Sequence, residues 1–331
     1  MPATLTDVAK LAGVSLATAS RAFGDPGRLA AETRQKVMAA AEQLGYDVPG
    51  LTGSRTFGVV VPDISNAVFA ALIKAIQDQA WHGRHRMILA DTGEASSRER
   101  EHLASLATGV DGIILCSPRL PPEDIHQLVG NTPLVVINGE AEHAARVLME
   151  VGEGLRQAVE HLYALGHRKL AYIPGPANSW ANGRRQEAIS RFCAEWDIEL
   201  VTVGNQNATV HGGLAAAASV VASGATAVIA YNDLVAIGML AGGRSLGYHC
   251  PEDISVVGID DLDIAAAAEP GLTSVRVAID RSGSLGLELL LEQMAGKPTA
   301  TEAVHLNSQL IVRGSTFAAR TANQTLQGKT S

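Results

Sequence analysis

Residues 4 to 23, TLTDVAKLAGVSLATASRAF, concentrate the groups best suited to reading another molecule. Thr4 and Asp7 stand at the spacing of a capping box, a hydroxyl closing one end of the first helical turn and a carboxylate the other. Val8, Ala9 and Ala12 recur at helical spacing, and Gly13 supplies the freedom for a sharp turn. Ser15 is placed to cap a second helix, in which Ala19 and Ala22 are small enough to pack on the first. This is the grammar of a helix-turn-helix, whose second helix enters the DNA major groove. Its solvent-facing start carries Leu16, Ala17, Thr18, Ser20 and Arg21. Only Arg21 is a strong donor, and its fork either matches guanine O6 and N7 or clamps a phosphate. Thr18 and Ser20 reach phosphate, which sets position without specifying sequence. Leu16 and Ala17 cannot hydrogen-bond, so they meet thymine methyls or merely exclude bulk. Any αα-hairpin needs a glycine turn and small packing residues, so these features alone leave that plainer reading open.

A second set of polar residues follows apolar runs. The runs are FGVVV (57–61), RMILA (86–90), GIILC (112–116), LVVI (134–137), KLAYI (169–173), AVIA (227–230) and ISVVGI (254–259). Helical patterns lie between them, at 67–82, 96–108, 154–165, 184–196, 214–223, 234–246 and 281–295. Short unalternated strands separated by helices mean parallel sheets covered on both faces. There are too many units for one sheet, and two α/β lobes fit better. Ligands of such sheets sit at the carboxyl ends of strands. Asp63, Asn66, Asn138, Asn232, Asp233, Asp260 and Asp261 fall there. Asn232 and Asp233 also suit a helix cap, and Asp260 also suits a strand end at the surface.

Bulk properties bound the rest. A chain of 331 residues with 47% hydrophobic and 18% charged side chains is globular and long enough for two or three domains. Aromatics are only 4%, so Ala, Val, Ile and Leu must fill the core. No apolar run approaches the roughly 18 residues of a membrane span, and no basic stretch precedes an apolar one at the start. The expected compartment is cytoplasmic, with no membrane partner. Cys116, Cys193 and Cys250 match no metal or redox spacing and read as buried thiols. No dinucleotide, P-loop, nucleophile-elbow or H-E-x-x-H motif is present, so neither an enzyme nor a cofactor is expected. His161 and His167 read as helix and turn surface.

The net charge of −8 is unevenly spread. Residues 1–56 carry six basic and five acidic side chains, a head at +1, and the remainder holds −9. One head attracts phosphate weakly, so affinity is expected to need two copies. After the loop GDPGR (24–28), a third helix is expected over Glu32–Leu44, ended by Gly45.

The segment T-x-x-D-V-A-x-x-A-G-V-S-x-x-T-x-S-R resembles the N-terminal signature of the lactose-repressor (LacI/GalR) family of bacterial transcription regulators. VPDISNAVFAAL (61–72), EHLYALGHRKLAYIPGP (160–176), YND (231–233), PEDISVVGIDD (251–261), LTSV (272–275) and LIVRGST (310–316) are similar to landmarks of its effector domain. The resemblance covers about residues 4–316. It implies an all-α helix-turn-helix head (1–46), a linker (47–56) and a periplasmic-binding-protein-like domain (57–316) of two doubly wound lobes. That domain is crossed three times by the chain and holds its ligand between the lobes; a polar tail (317–331) is left unmatched as a frayed end. The implied function is a ligand-responsive repressor that binds a pseudo-palindromic operator as a homodimer and answers to a small, sugar-like effector. The alternative is a solute-binding receptor without DNA binding.

The resemblance also assigns ligand contacts to Phe69, Asn138, Arg185, Asn232 and Asp260. Phe69 either covers an apolar ligand face or packs in the core. Trp180, on the loop before Arg185, is a second wall or a hydrophobic anchor. A set of carboxylate, amide and guanidinium groups suits a polyhydroxylated ligand. Two departures stand out. Ala30 replaces the hydroxyl that caps the third helix in relatives. The linker is shorter than usual, and Pro49, Gly50 and Gly53 disfavour a hinge helix, although Leu51 remains placed as a minor-groove wedge.

Overall fold

Thr4 opens the first helix as its sequence requires. Its backbone N–H donates to Asp7 Oδ2 at 2.8 Å, and Asp7 N–H donates back to Thr4 Oγ1 at 3.3 Å. The computed structural model describes residues 3–24, 31–44, 46, 54–297 and 302–320. These fall into two compact units, Met1–Arg55 with Trp81–Arg86 and the remainder.

The first unit contains α1 (Leu5–Ala12), α2 (Leu16–Gly24) and α3 (Ala31–Leu44). Gly13 ends α1 at φ +66°, a left-handed conformation that glycine adopts without a Cβ penalty. Ser15 Oγ accepts from Thr18 N at 3.1 Å and so caps α2. Val8, Ala9, Ala19, Ala22, Val37, Ala40 and Ala41 form a small buried core, the close approach that three alanine-rich helices allow. Pro49, Gly50, Leu51 and Gly53 of the expected linker lie outside the described residues, as does Ala30, while Thr56 already belongs to the first strand of the second unit.

The second unit runs β1 (Thr56–Val61), α4 (Ala67–His82), β2 (Arg86–Asp91), α5 (Ser96–Leu106), β3 (Gly112–Cys116), α6 (Pro122–Val129), β4 (Leu134–Ile137) and β5 (Ala145–Met149). It continues with α7 (Gly152–Ala164), β6 (Lys169–Ile173), α8 (Trp180–Glu195), β7 (Glu199–Thr202), α9 (Val210–Ala222), β8 (Ala227–Ala230) and α10 (Asp233–Ser245). Then come β9 (Ser255–Asp260), α11 (Asp263–Ala267), β10 (Thr273–Arg276), α12 (Ile279–Met294), β11 (Val304–Leu306) and β12 (Gln309–Ile311). Two six-stranded sheets result, ordered β11-β5-β4-β3-β1-β2 and β12-β10-β9-β8-β6-β7. The central strands β3, β4, β8 and β9 are buried along their whole length, as parallel strands covered on both faces must be.

The chain passes between the sheets three times, after β5, after β10 and after β11. The crossings meet at Gly154. Its N–H donates to Ser308 Oγ at 3.0 Å, and a Cβ there would lie 2.4 Å from Val275 Cγ1. Gly154, just past the first crossing, thus lies against β10, which leads into the second, and against Ser308, which follows β11.

Several expectations need correction. The strands at 145–149, 199–202, 273–276, 304–306 and 309–311 carry no long apolar run and gave no signal. Helix α8 begins at Trp180 because Ser179 Oγ caps it, accepting from Asn182 N at 3.3 Å. Helix α9 begins at Val210, capped by Thr209, and runs through Gly212 and Gly213. Gly213 is there because α10 presses close, since a Cβ on it would sit 2.0 Å from Val235 O, whereas a Cβ on Gly212 would sit 2.2 Å from Asn207 O of the preceding loop. His167 is not on the surface. It is buried, with Nδ1 2.8 Å from Thr226 Oγ1 and Nε2 3.0 Å from Phe317 O. The same bonds tie down residues 317–320, since Phe317 N donates to Ser255 Oγ and Ala319 N to Leu165 O. Phe317 and Ala319 are thus hydrogen-bonded to the second unit.

Candidate functional site

On α2, Leu16, Ala17, Ser20 and Arg21 are exposed, while Thr18 is half-buried with its hydroxyl 2.8 Å from Ser15 Oγ. Arg21 Nε donates to Ala17 O at 3.3 Å, so the guanidinium lies back along its own helix. Leu16 exposes half of its surface, as Leu11 nearly does. A face with one strong donor and two apolar positions can read a guanine and test neighbouring base edges by shape.

The second site is built where β9 ends. Asp260 is buried at φ +110° and Asp261 follows at φ +55°, a double reversal that turns the Asp260 carboxylate toward α8. From α8, Arg185 Nη2 donates to Asp260 Oδ1 at 3.0 Å, and Nη1 donates to Tyr231 O. The Tyr231 ring lies 4.5 Å below the guanidinium carbon, adding a cation–π contact. Arg185 Nε is buried and has no partner among the described residues. Burial works against the Arg185 charge, and Asp260 beside it raises its pKa all the same. Burial pushes Asp260 up to about 6, although Arg185 pulls it back toward the ionised form.

A second carboxylate stands close by. Asp233 is fully buried at the start of α10, its Oδ1 accepting from Ser274 Oγ at 2.6 Å and its Oδ2 from Leu262 N at 2.8 Å. Burial, reinforced by the charge of Asp260, raises its pKa to about 7. Asp233 fastens α10 to the ends of β9 and β10 and thereby holds Asp260 in place. Asn182 does the same for α8, its Oδ1 accepting from Gly175 N at 2.8 Å and from Tyr172 Oη at 3.1 Å. Sequence reading missed Asn182, Tyr231 and the tethering role of Asp233. The signal was present in ANSWANGRR and YND, where polar residues crowd the two helix starts.

Two cavities adjoin the Arg185–Asp260 pair. One, of about 110 Å³, is lined by Asn138, Glu150, Val151, Trp180, Arg184, Arg185 and Arg191 among others. The other, of about 600 Å³, is lined by Ala67, Ala71, Leu234, Asp260, Asp261, Ile264, Arg276 and Asp280 among others. Each draws walls from both lobes, and one member of the ion pair borders each. Asn138, Trp180 and Arg185 thus share a wall. Trp180 is half-buried, with the Arg184 guanidinium 5.8 Å from its ring centre. Asn138 takes φ +57°, a left-handed conformation that asparagine tolerates better than most residues. Phe69 and Asn232 border neither cavity. Phe69 packs in the core with Leu72 and Ile76, and the cavity wall of α4 is made by Ala67 and Ala71 instead. Asn232 caps α10, accepting from Val235 N at 2.9 Å. Asp63 and Asn66 likewise serve turns, accepting from Ser65 N at 2.8 Å and Val68 N at 3.1 Å. Among the described residues no helix is long and apolar enough to cross a membrane.

Residues 4–48 match the bacterial regulatory proteins of the lacI family, and residues 159–316 match the periplasmic binding protein-like domain. The chain is 32% identical to the HTH-type transcriptional regulator reg1 of Streptomyces lividans, over 96% of this chain and 98% of that protein. Its fold superposes on the lac repressor dimer bound to operator and the anti-inducer ONPF with a TM-score of 0.73 and 25% identity, over 96% of this chain and all of that one. A LacI family transcriptional regulator from Enterococcus faecium with bound ribose gives a TM-score of 0.73 and 28% identity, over 80% of this chain and all of that one. With its helix-turn-helix head and its two largely parallel sheets joined by three crossings, the chain belongs to the LacI family of bacterial transcription regulators.

Proposed function

We propose that this protein is a cytoplasmic homodimeric repressor whose heads bind a pseudo-palindromic operator and whose lobes close on a small polar effector, a sugar or related metabolite. It acts by binding, not by catalysis. The observation that carries this reading is the buried Arg185–Asp260 pair between two interlobe cavities, with an unpartnered Arg185 Nε at its edge. A fixed guanidinium and carboxylate side by side offer a donor and an acceptor to vicinal hydroxyls, each of which both donates and accepts. Trp180 and Asn138 extend that surface on one side, and Ala67, Ala71 and Leu234 give an apolar floor on the other. The ribose-bound relative and the operator-bound repressor dimer support the two halves of the proposal.

Arg21, with Leu16 and Ala17 beside it, is the proposed base reader, while Thr18 and Ser20 touch phosphate. Residues 1–46 form the head, 47–56 the linker carrying Leu51, and the effector domain extends from 57 through 320. An effector changes operator affinity only through its different affinity for the two lobe arrangements. The three crossings at Gly154 are the proposed pivot between them. A thermal-shift screen of the protein with sugars, sugar phosphates and nucleosides tests the effector class, since a ligand of the folded state raises Tm by mass action. No shift with any of the three classes contradicts it.

A further inference from the structure

Where the linker enters the first sheet, the structure assembles a cationic collar. Arg55 N–H donates to His85 Nδ1 at 3.2 Å, and Arg55 O accepts from Arg86 N at 2.7 Å. These bonds fasten the turn WHGRHR (81–86) to the point at which the linker ends, and that turn groups with the N-terminal unit. Arg84 stands at φ +53° in that turn and is exposed. Trp81 is 81% exposed, and His82, Arg84 and Arg86 are exposed with it. The side chains of Arg84 and Arg86 have neither a hydrogen bond nor an ion pair among the described residues. Most arginines of the lobes, by contrast, meet a carboxylate, as Arg100 meets Asp124 and Arg276 meets Asp261. One acid, Asp111, is tied to the same strand edge through Thr56 N.

The charge count gives this arrangement a purpose. Two arginines and no acid in 81–86 take the N-terminal unit from +1 to +3. The chain from Tyr46 to Arg55 can span at most about 30 Å, so a head docked on DNA tethers the collar to the same duplex. Exposed, unpaired guanidiniums there gain energy by displacing condensed counterions.

We propose that Arg84 and Arg86 grip the DNA backbone as a second, sequence-independent contact that supplements the weakly charged head. The proposal rests on the regulator reading above and adds the part of the surface that supplies non-specific affinity. It also explains how a head at +1 with a glycine- and proline-containing linker retains its hold on DNA.

The test uses the full-length protein and two 40-base-pair duplexes, one selected by the wild type from a random pool and one unrelated. Fluorescence anisotropy gives Kd between 50 and 250 mM KCl for the wild type, for Arg84→Gln/Arg86→Gln, and for a distant control, Arg244→Gln. The collar variant is expected to show a shallower log Kd against log salt slope, by about 2 per protomer at ~0.9 per phosphate contact. The loss should be equal on both duplexes, so that their affinity ratio is unchanged, with the control like the wild type. Arg84→Lys/Arg86→Lys should recover the slope, which a folding defect would not. An unchanged slope, or a loss confined to the selected duplex, overturns the proposal while leaving the regulator reading intact. A wild type that binds no duplex overturns both, and salt-dependent binding of heparin but not of DNA reassigns the collar to another polyanion.

Discussion

Arg185 and Asp260 join α8 to the end of β9 through one hydrogen bond of 3.0 Å, and both side chains are more than nine-tenths buried. Removing water from two opposite charges is costly, and their attraction offsets that cost only while both are present. The pair is therefore sensitive to loss of either partner. Asp260→Asn leaves an uncompensated guanidinium and is expected to lower unfolding free energy by about 3–5 kcal/mol in urea denaturation. Replacing both partners, Arg185→Met with Asp260→Leu, should recover a large part of that loss and still abolish effector binding. A single variant as stable as the wild type would refute the buried-pair assignment.

Asp233 gives a prediction with a definite sign. Its pKa is raised to about 7, above the ordinary 3.8, chiefly by burial. The folded state therefore holds a proton that the unfolded chain releases. The stability from this group is complete below pH 3.8 and is lost as pH rises toward 7. Asp233→Asn keeps a neutral group able to meet Ser274 and Leu262 but cannot ionise. Denaturant midpoints at pH 5, 6, 7 and 8 should show the variant gaining on the wild type with each step upward. A difference that does not vary with pH would contradict the assignment.

Gly154 tests the pivot. A Cβ at this position meets Val275 and Ser308 at 2.4 and 2.9 Å, whereas one at Gly152 meets nothing within 4 Å. Gly154→Ala should cost about 1–3 kcal/mol through overpacking, and Gly152→Ala should be nearly neutral. Equal effects in thermal unfolding would remove the crossing point from the account.

The contrast between these sites and the reading helix shows what a sequence can carry. The capping box at Thr4 and Asp7, the turn at Gly13 and the apolar strands from FGVVV to ISVVGI are local patterns, and each is found where its spacing places it. Edge strands such as Glu199–Thr202 and Gln309–Ile311 are held by their neighbours in the sheet, which local composition does not reveal. The same holds for the site. Asp260 and Arg185 were legible from position and resemblance, but their direct pairing, 75 residues apart, exists only after folding. Asn232 looked identical as cap and as ligand contact until Val235 N was found on its oxygen.

Arg21→Ala addresses the head. The side chain is exposed and among the described residues bonds only to Ala17 O of its own helix, so its loss should leave the unfolding transition unchanged. Discrimination between selected and unrelated duplexes should fall by about 1–3 kcal/mol, the worth of a bidentate base contact. A uniform loss on both duplexes would make Arg21 a phosphate clamp instead.

The central claim is that occupancy of the cleft is felt at the DNA. It is tested most directly by measuring operator-duplex Kd by anisotropy with and without a saturating ligand from the thermal-shift screen. The expected result is a change of at least about 5-fold, with the duplex altering ligand affinity by the same factor. A ligand that raises Tm through the Arg185–Asp260 site yet leaves the duplex Kd unchanged would contradict the account.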